Sequence, residues 1–335
     1  MLEFETCASN LKQIPRTLES EIPVKAVRFY EYGDPEVLRY EDVEQPVPGP
    51  GEVRIHVAAT AFNPVDAGIR GGYLQVPFPV ALPHVPGIDV AGTVDALGAN
   101  VTGRRVGDRV IGFLPMVPDG AAAEYVLAPT QILADAPASI PLADAAALPS
   151  VGLTAWQSLF EHANVRPGQR LLINGAGGAV GGYAIQLARR AGAQVIATAS
   201  PRSIERVRRA GADEIIAHTT TTVADAVSGP VDVVLNLAPI APAELTTLGS
   251  LVRAGGLVLS TVPTAVPEET SGVRAVAIFA RSDADQLADL VELIDAGDLH
   301  VDVAERLLLS DLSAVHARFD VGALLGKVVL FSAAA

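Results

Sequence analysis

The sequence predicts an α/β protein in which a doubly wound parallel sheet follows a smaller, β-rich domain. Three observations support this. Short apolar strands alternate with helical segments after residue 148, a glycine-rich turn joins the first of these strands to the first helix, and short strands bounded by proline and glycine fill residues 24–126. Alternating strands and helices are typical of a parallel sheet covered by helices, and closely spaced short strands are typical of antiparallel structure. A chain of 335 residues, half of them apolar, is long enough for two domains.

The glycine-rich turn, residues 175–182, follows a short apolar strand and precedes a helix with an apolar face. Its Ala176-x-Gly178-x-x-Gly181 spacing is that of the dinucleotide fingerprint, with alanine in the place of the first glycine. Glycine in such a turn lets the backbone approach a pyrophosphate, whose charge is stabilised by the free N–H groups of the helix N-terminus. Glycine-rich turns are common, so the strands around this one carry much of the prediction.

Composition and charge argue against several classes of function. A net charge of −14 argues against nucleic-acid and membrane partners, which call for a basic face. No apolar run approaches the roughly 18 residues of a membrane span. The first 22 residues do not resemble a secretory signal, so a cytoplasmic location is expected. One cysteine, Cys7, and six scattered histidines predict neither a disulfide nor a metal site.

Four segments are expected along the chain. They are an N-terminal extension over 1–22, the β-rich domain over 23–147, the nucleotide-binding domain over 148–298, and a C-terminal segment over 299–335 that returns to the β-rich domain. The last strand of the nucleotide-binding domain, 273–279, is apolar and is expected at a sheet edge, where strands are usually covered. The same strand of a second subunit would cover it in a homodimer, and a loop of the same chain is the alternative.

The residues after the second strand of the parallel sheet bear on the cofactor, because ligands of such sheets bind at the carboxyl ends of the strands. Ser200 and Arg202 lie where an NAD-specific site would carry an acidic residue, and Arg206 follows one turn later. A hydroxyl and a guanidinium suit the 2′-phosphate of NADPH, which is therefore favoured over NADH. The alternative is that Arg202 is simply solvated at the start of a helix.

Several motifs occur in a fixed order between residues 24 and 331. They include Ala61-Phe62-Asn63-Pro64-Val65-Asp66, Pro86-Gly87-Ile88-Asp89-Val90-Ala91-Gly92, Ala147-Leu148-Pro149, the glycine turn, and Gly326-Lys327-Val328-Val329-Leu330. In these motifs the chain resembles the zinc-independent medium-chain dehydrogenase/reductase superfamily, in the quinone oxidoreductase and zeta-crystallin branch that also contains enoyl reductases. The resemblance implies a GroES-like domain packed against a Rossmann domain, with the active site in the cleft between them.

The resemblance also implies a reaction without a metal ion. Zinc-dependent relatives carry a ligand cysteine where this chain has Phe62-Asn63, and Gly-His-Glu where it has Gly87-Ile88-Asp89. The expected reaction is hydride transfer from NADPH to a quinone or an α,β-unsaturated carbonyl, whose oxygen then carries negative charge that must be stabilised and protonated. Proline-rich, mostly apolar loops at 74–83, 115–120 and 264–272 predict a hydrophobic or aromatic acceptor. The alternative is a protein that holds NADPH without turnover.

Individual site residues follow from the same resemblance. The expected catalytic residues are Asn63, Arg70, Tyr73 and Thr154. Tyr73 or water would supply the proton, and Thr154 would lie beside the nicotinamide or cap a helix. The expected cofactor-binding residues are Asn63, Thr154, Gly175, Ala176, Gly178, Ala179, Val180, Gly181, Ser200, Arg202, His218, Ala238, Val262 and Phe279. His218 would contact the adenosine phosphate or simply be exposed.

Overall fold

The computed structural model describes residues 23–262 and 272–332. The N-terminal extension with Cys7, most of the 264–272 loop and the last three residues lie outside the described residues. The described chain forms a two-stranded sheet, a seven-stranded sheet and a six-stranded sheet. The predicted combination of a parallel α/β sheet and a β-rich domain is confirmed.

The β-rich domain contains the two-stranded and seven-stranded sheets. Its strands are β1 (Val24–Arg28), β2 (Arg39–Val43), β3 (Glu52–Ala61), β4 (Asp89–Leu97), β5 (Arg109–Phe113), β6 (Tyr125–Pro129) and β7 (Leu133–Asp135), with β14 (Val303–Leu308) and β15 (Lys327–Phe331) from the end of the chain. The seven-stranded sheet has the order β14-β15-β3-β4-β5-β7, and β6 also pairs with β3. Strand β15 pairs antiparallel with β3, so the C-terminal strands complete the sheet of the first domain.

The second domain is built on the six-stranded parallel sheet. Its strands are β8 (Arg170–Asn174), β9 (Gln194–Ala199), β10 (Glu214–Ala217), β11 (Val231–Asn236), β12 (Val252–Ser260) and β13 (Arg274–Ala277). They lie in the order β10-β9-β8-β11-β12-β13. The chain proceeds outward from β8 in one direction and then from β11 in the other, so the topological switch point, where ligands of such sheets bind, lies between β8 and β11.

Eight α-helices lie in the described chain. They are α1 (Pro64–Arg70), α2 (Pro149–Trp156), α3 (Ala179–Arg190), α4 (Ile204–Ala210), α5 (Val223–Ala226), α6 (Pro242–Gly249), α7 (Ala284–Asp295) and α8 (Leu312–Asp320). A π-helical turn over Gln157–His162 continues α2, and short 3-10 helices lie at Pro35–Val37, Thr130–Ile132, Leu142–Ala147 and Leu309–Asp311. None of the described helices is long and apolar enough to cross a bilayer.

The core of the second domain lies between β8 and the helices on its two faces. Leu171, Leu172 and Ile173 of β8 are almost fully buried, which explains the uninterrupted apolar run of this strand. Helix α3 buries Tyr183, Ala184, Ile185, Leu187 and Ala188, the spacing of one helical face. Burial of both elements fixes the turn between them, residues 175–178, at the carboxyl edge of the sheet.

The structure changes the expected bounds of several elements. Strand β13 is the edge strand of the parallel sheet, as predicted, but it covers only Arg274–Ala277. It ends before Phe279 because that ring leaves the sheet and stacks on Phe78 of the first domain, with ring centroids 5.6 Å apart. Helix α1 was not predicted. Its start is fixed by Asn63 at the N-cap, whose backbone N–H donates to the Asp66 carboxylate, and by proline in the first turn.

Candidate active site between the two domains

A cleft of about 410 Å³ lies between the two domains, next to the glycine turn. One wall is formed by the β-rich domain, from Phe62 to Val65 and at Ile88, Phe113 and Met116. The other wall is formed by the start of α3 and by Ile278 and Phe279. Most of these side chains are apolar, so the cleft suits a hydrophobic ligand that places few polar groups against the protein.

A second cavity of about 350 Å³ lies over the carboxyl ends of the parallel strands. His218, Ala238 and Thr198 line it, and it shares Gly175 with the interdomain cleft. Two cavities that meet at a glycine turn at the switch point match the shape of a dinucleotide, with one half in each cavity and the pyrophosphate at the turn.

The backbone of the turn provides a close approach for a pyrophosphate. Gly175 has φ +78°, and a Cβ atom there would lie 3.0 Å from the Ala238 nitrogen. A Cβ atom on Gly181 would lie 2.3 Å from the Ala176 carbonyl oxygen, so glycine allows α3 to pack against the turn. Gly178 precedes the first turn of α3, where backbone N–H groups lack partners within the helix and the helix dipole favours an anion. The residues of the turn therefore fit a dinucleotide.

A row of buried polar side chains crosses the sheet at the switch point. Each belongs to one of four adjacent strands: Thr198 of β9, Asn174 of β8, Asn236 of β11 and Ser260 of β12. The Thr198 hydroxyl donates to Asn174 Oδ1 (3.0 Å), the Asn174 amide donates to Asn236 Oδ1 (2.8 Å), and the Asn236 amide donates to Ser260 Oγ (3.2 Å). Thr198 also accepts the Gly175 N–H at 2.8 Å. The row therefore holds the glycine turn against the ends of the strands.

A second buried polar cluster forms part of the wall of the interdomain cleft. Lys327 Nζ donates to Asn63 Oδ1 at 2.6 Å and to Asp89 Oδ2 at 2.9 Å. The Asn63 amide donates to Asp89 Oδ2 (2.9 Å) and to the Ala61 carbonyl (3.1 Å). Ser150 donates its backbone N–H to Asp89 Oδ1 at 2.7 Å. Both N–H groups of the Asn63 amide are thus used within the protein.

The buried Asp66 side chain lies beside this cluster. Its carboxylate accepts the backbone N–H groups of Asn63 and Gly87, each at 3.0 Å. Burial raises the pKa of Asp66 from its ordinary value near 3.8 to about 7. The two N–H groups and Lys327 lower this pKa, and the nearby Asp89 carboxylate raises it further. Asp66 therefore titrates near neutral pH beneath the cleft.

Asn63 and Thr154, two of the four expected catalytic residues, line the cleft. The Thr154 hydroxyl donates back to the Ser150 carbonyl at 2.7 Å within α2. Thr154 is therefore not a capping residue, which was the alternative interpretation; Leu148 occupies the N-cap of this helix.

The structure does not bring the other two expected catalytic residues to the cleft. The Tyr73 side chain is 85 % exposed, because the loop after α1 turns it outward against Gly71. Arg70 is buried at the end of α1, where it forms an ion pair with Asp320 at 2.8 Å. Its neighbour His316 is fully buried, and burial together with Arg70 lowers the pKa of this histidine to about 3. Neither Arg70 nor Tyr73 lines the cleft, and their catalytic role stays a prediction.

Most of the expected cofactor-binding residues line one of the two cavities, and four do not. Those that line the cleft or the second cavity are Asn63, Thr154, Gly175, Gly178, Ala179, Val180, Gly181, His218, Ala238 and Phe279. Ala176 is buried beneath the turn, and Val262 lies outside both linings, with its N–H bonded to Ser260 Oγ. Ser200 and Arg202 also lie outside both linings, at the start of α4.

Arg202 and Arg206 differ in their freedom to meet a phosphate. Arg202 is exposed, with one hydrogen bond of 3.4 Å to the Gly322 carbonyl. Arg206 forms an ion pair with Asp302 at 2.7 Å and donates to the Gly177 carbonyl at 3.2 Å. Arg206 is therefore engaged in holding the C-terminal segment near the turn, whereas the Arg202 guanidinium is available to a ligand.

Sequence reasoning did not assign roles to Asp89, Ser150, Lys327 or the polar row. Asp89 and Lys327 are far apart in sequence and meet only because β15 pairs beside β3. The sequence holds a signal for the row, because a polar residue is the last or the last but one residue of each of four apolar parallel strands, at the edge where ligands bind. No group of three or more His, Cys, Asp or Glu side chains able to hold a metal ion occurs within residues 23–262 and 272–332.

The two-domain fold and the glycine turn beside the interdomain cleft are those of an oxidoreductase that uses NAD(P)H. Family models match two parts of the chain: the alcohol dehydrogenase GroES-like domain over residues 49–138 and the zinc-binding dehydrogenase domain over residues 210–330. The chain is 30 % identical to a chloroplastic quinone-oxidoreductase, QR1, of Triphysaria versicolor, across 92 % of this chain and 98 % of the relative. The chain belongs to the quinone oxidoreductase branch of the medium-chain dehydrogenase/reductase superfamily, as the motifs predict.

Other similar proteins share the same architecture. A chloroplastic quinone-oxidoreductase homolog of Spinacia oleracea is 36 % identical over 58 % of this chain, a match that spans 61 % of the relative. The quinone oxidoreductase of Coxiella burnetii superposes with a TM-score of 0.84 at 28 % identity, covering 92 % of this chain and 99 % of that one. An NAD-dependent alcohol dehydrogenase superposes equally well, with a TM-score of 0.84 at 29 % identity and the same coverage.

Proposed function

We propose that the protein is an NADPH-dependent reductase that transfers a hydride to a quinone or an α,β-unsaturated carbonyl without a metal ion. The observation that carries this proposal is the apolar interdomain cleft, which meets the glycine turn at the N-terminus of α3. The similarity to quinone oxidoreductases supports the same reaction class.

The dinucleotide, when bound, supplies the hydride, and the protein positions it. The N–H groups of Ala179 and Val180 are available to a pyrophosphate, and Gly175 leaves space where the two cavities meet. Thr154 and Asn63 lie in the part of the cleft that would face a nicotinamide. Domain walls on both sides of this part of the cleft would limit its contact with water once a dinucleotide is bound, and electrostatic interactions strengthen as water is expelled.

The preference for NADPH rests on the free guanidinium of Arg202 and on the absence of an acidic residue at positions 200–202. The fold alone does not decide it, since a similar structure is that of an NAD-dependent alcohol dehydrogenase. The change Arg202→Ala is expected to weaken NADPH binding about tenfold or more, as for loss of a charge-assisted contact, and NADH binding little. Arg209→Ala, at an exposed position in the last turn of α4, the helix that follows Arg202, is the matched control.

Fluorescence titration of the wild type and both variants with each dinucleotide measures these affinities. Equal losses for NADPH and NADH in Arg202→Ala would show that the 2′-phosphate is bound elsewhere. A loss in Arg209→Ala as large as in Arg202→Ala would attribute the effect to overall charge.

The hydride acceptor is a neutral, largely apolar molecule. The cleft presents Phe62, Phe113 and Phe319 to it, and the stacked rings of Phe78 and Phe279 bridge the two domains beside it. Flat unsaturated rings match such walls, because aromatic side chains pack favourably on them. The proton that completes the reduction comes from water in this proposal, which the exposure of Tyr73 and its position outside the cleft lining support.

The alternative function is a protein that binds NADPH without turnover. Oxidation of NADPH, followed at its absorbance band, across a panel of quinones and enones distinguishes the two. The reductase proposal expects oxidation that depends on the acceptor and saturates with its concentration. Tight binding of NADPH with no oxidation by any acceptor would favour the alternative.

The cytoplasmic location stays a prediction, and the names of two relatives place those proteins in chloroplasts.

A further inference from the structure

The ion pair of Lys327 and Asp89 has a fixed orientation relative to the cleft. Lys327 Nζ lies 2.9 Å from Asp89 Oδ2, and the two side chains are 3 % and 0 % exposed. Lys327 forms part of the cleft lining, whereas Asp89 lies behind it, with its other oxygen bound to the Ser150 N–H at 2.7 Å. The positive end of the pair therefore faces the ligand space and the negative end faces the protein.

The hydrogen bonds of Lys327 leave no proton directed at a ligand. An ammonium group has three N–H donors, and the three acceptors around this one are Asn63 Oδ1 (2.6 Å), Asp89 Oδ2 (2.9 Å) and the Phe62 carbonyl (3.3 Å). Such a group is held rigidly, and its effect on a ligand is exerted by its electric field. Because the site is buried, that field is screened much less than it would be in water.

We propose that the Lys327–Asp89 pair acts as a preorganised dipole that stabilises the negative charge developing on the carbonyl oxygen of the acceptor. This inference rests on the proposed reductase function. When the acceptor takes up a hydride with its electron pair, the electrons of the polarised carbonyl system move to the oxygen, and this oxyanion later takes a proton from water. A fixed dipole with its positive end nearer the cleft lowers the free energy of the anionic state without reorganising during the reaction. Asn63 then acts as a positioning residue, because its amide holds both members of the pair.

The field can be measured without turnover by binding 4-nitrophenol, whose absorbance reports its ionisation. We expect the pKa of nitrophenol bound to the wild-type protein to lie about one unit or more below that of free nitrophenol, equivalent to a tenfold change in ionisation. Lys327→Met should abolish this shift. Lys25→Met is the matched control, since Lys25 forms an exposed ion pair with Asp42 in the β-rich domain, and it should preserve the shift.

Lys327→Met leaves the Asp89 charge buried without its partner and can therefore destabilise the fold. The double variant Lys327→Met/Asp89→Asn removes both charges and keeps the test valid, with folding checked by thermal unfolding. The inference predicts that nitrophenol bound to the folded double variant ionises near its free pKa. A wild-type protein that does not lower the pKa of nitrophenol, or a folded double variant that lowers it as the wild type does, would overturn the inference.

Kinetics separates this role from a purely structural one. For a quinone that the wild type reduces, the double variant should lose about tenfold or more in kcat, with NADPH affinity and the KM for the quinone little changed. An unchanged kcat, or a loss confined to KM or to NADPH affinity, would contradict the inference. If the wild-type protein lowers the pKa of bound nitrophenol but reduces no acceptor, the proposed function fails while the electrostatic assignment stands.

Discussion

At the scale of single residues, Asp66 links the cleft wall to the pH dependence of stability. Its folded pKa of about 7 lies above its ordinary value near 3.8. Between these values the unfolded state loses the proton while the folded state keeps it, so the stability contributed by this group is present at low pH and is lost as pH rises from about 4 to 7. The loss reaches about 4 kcal/mol at most, since one pKa unit corresponds to about 1.4 kcal/mol.

The variant Asp66→Asn tests this assignment, because an amide does not titrate. The free energy of unfolding of the wild type relative to the variant should fall between pH 4 and pH 7 and become constant above about pH 8. Urea unfolding at several pH values measures this difference. The variant also weakens the hydrogen bond that the Asn63 N–H donates to residue 66. This loss changes the free energy of unfolding by an amount that does not depend on pH. A difference that stays constant from pH 4 to pH 8 would contradict the raised pKa.

The cluster around Asn63 also shows which side-chain contacts a sequence motif does not specify. The resemblance singled out Asn63, and the structure places it in the cleft. Its bonding partners, Asp89, Ser150 and Lys327, come from three other segments of the chain. No spacing in the sequence specifies that they meet, so the internal use of the Asn63 amide could be learned only from the fold.

At the scale of secondary-structure elements, the packing of α3 against the glycine turn carries a sharp prediction. A Cβ atom on Gly181 would lie 2.3 Å from the Ala176 carbonyl oxygen, whereas one on Gly182 would meet no atom within 4 Å. We expect Gly181→Ala to lower the free energy of unfolding by about 1–3 kcal/mol through overpacking and to weaken NADPH binding as the turn shifts. The matched control Gly182→Ala should raise the free energy of unfolding by about 0.5–1 kcal/mol, because alanine has a higher helix propensity than glycine.

Chemical denaturation and dinucleotide titration of these two variants measure both effects. Equal stability of the two variants would show that α3 does not press on the turn as described. A Gly181→Ala variant that is destabilised but binds NADPH with wild-type affinity would separate helix packing from the shape of the turn.

Elements whose residues carry a strong local pattern could be predicted from the sequence. Side-chain positions that depend on tertiary packing could not. Strand β8, the glycine turn and α3 follow from an apolar run, a fingerprint spacing and one helical face. Arg70 at the end of α1 forms an ion pair with Asp320 of α8, and Tyr73 in the loop that follows is exposed. Residue spacing measures how far a loop can reach and not where its side chains point, so it does not specify that Arg70 and Tyr73 lie outside the cleft lining.

At the scale of the whole molecule, the edge of the parallel sheet bears on assembly, because no strand within residues 23–262 and 272–332 pairs with the outer side of β13. Strand β13 lies at the edge of the six strands, and Arg274 and Ala277 at its two ends are exposed. We propose that it pairs with the same strand of a second copy, because an open edge strand presents unpaired N–H and carbonyl groups. The protein should then have twice the 34.7 kDa mass of one chain.

Ala277→Asp should shift this dimer toward monomer, because a charged side chain at an edge strand disfavours pairing with another strand. Ala243→Asp adds the same charge at an exposed position on α6 and should leave the dimer intact. Sedimentation equilibrium measures both masses. A wild-type monomer would contradict the proposed assembly, and a dimer insensitive to Ala277→Asp would place the interface elsewhere.

The central claim, hydride transfer from NADPH to an acceptor in the interdomain cleft, is tested most directly by single-turnover kinetics. The protein is mixed anaerobically with one equivalent of NADPH carrying deuterium on one or the other face of C4, and then with excess quinone. The account predicts that NADPH is oxidised once per bound equivalent, and that only one of the two labels slows the reaction, because the cleft exposes one face of the nicotinamide. Bound NADPH that is not oxidised, or oxidation at the same rate with both labels and without label, would contradict it.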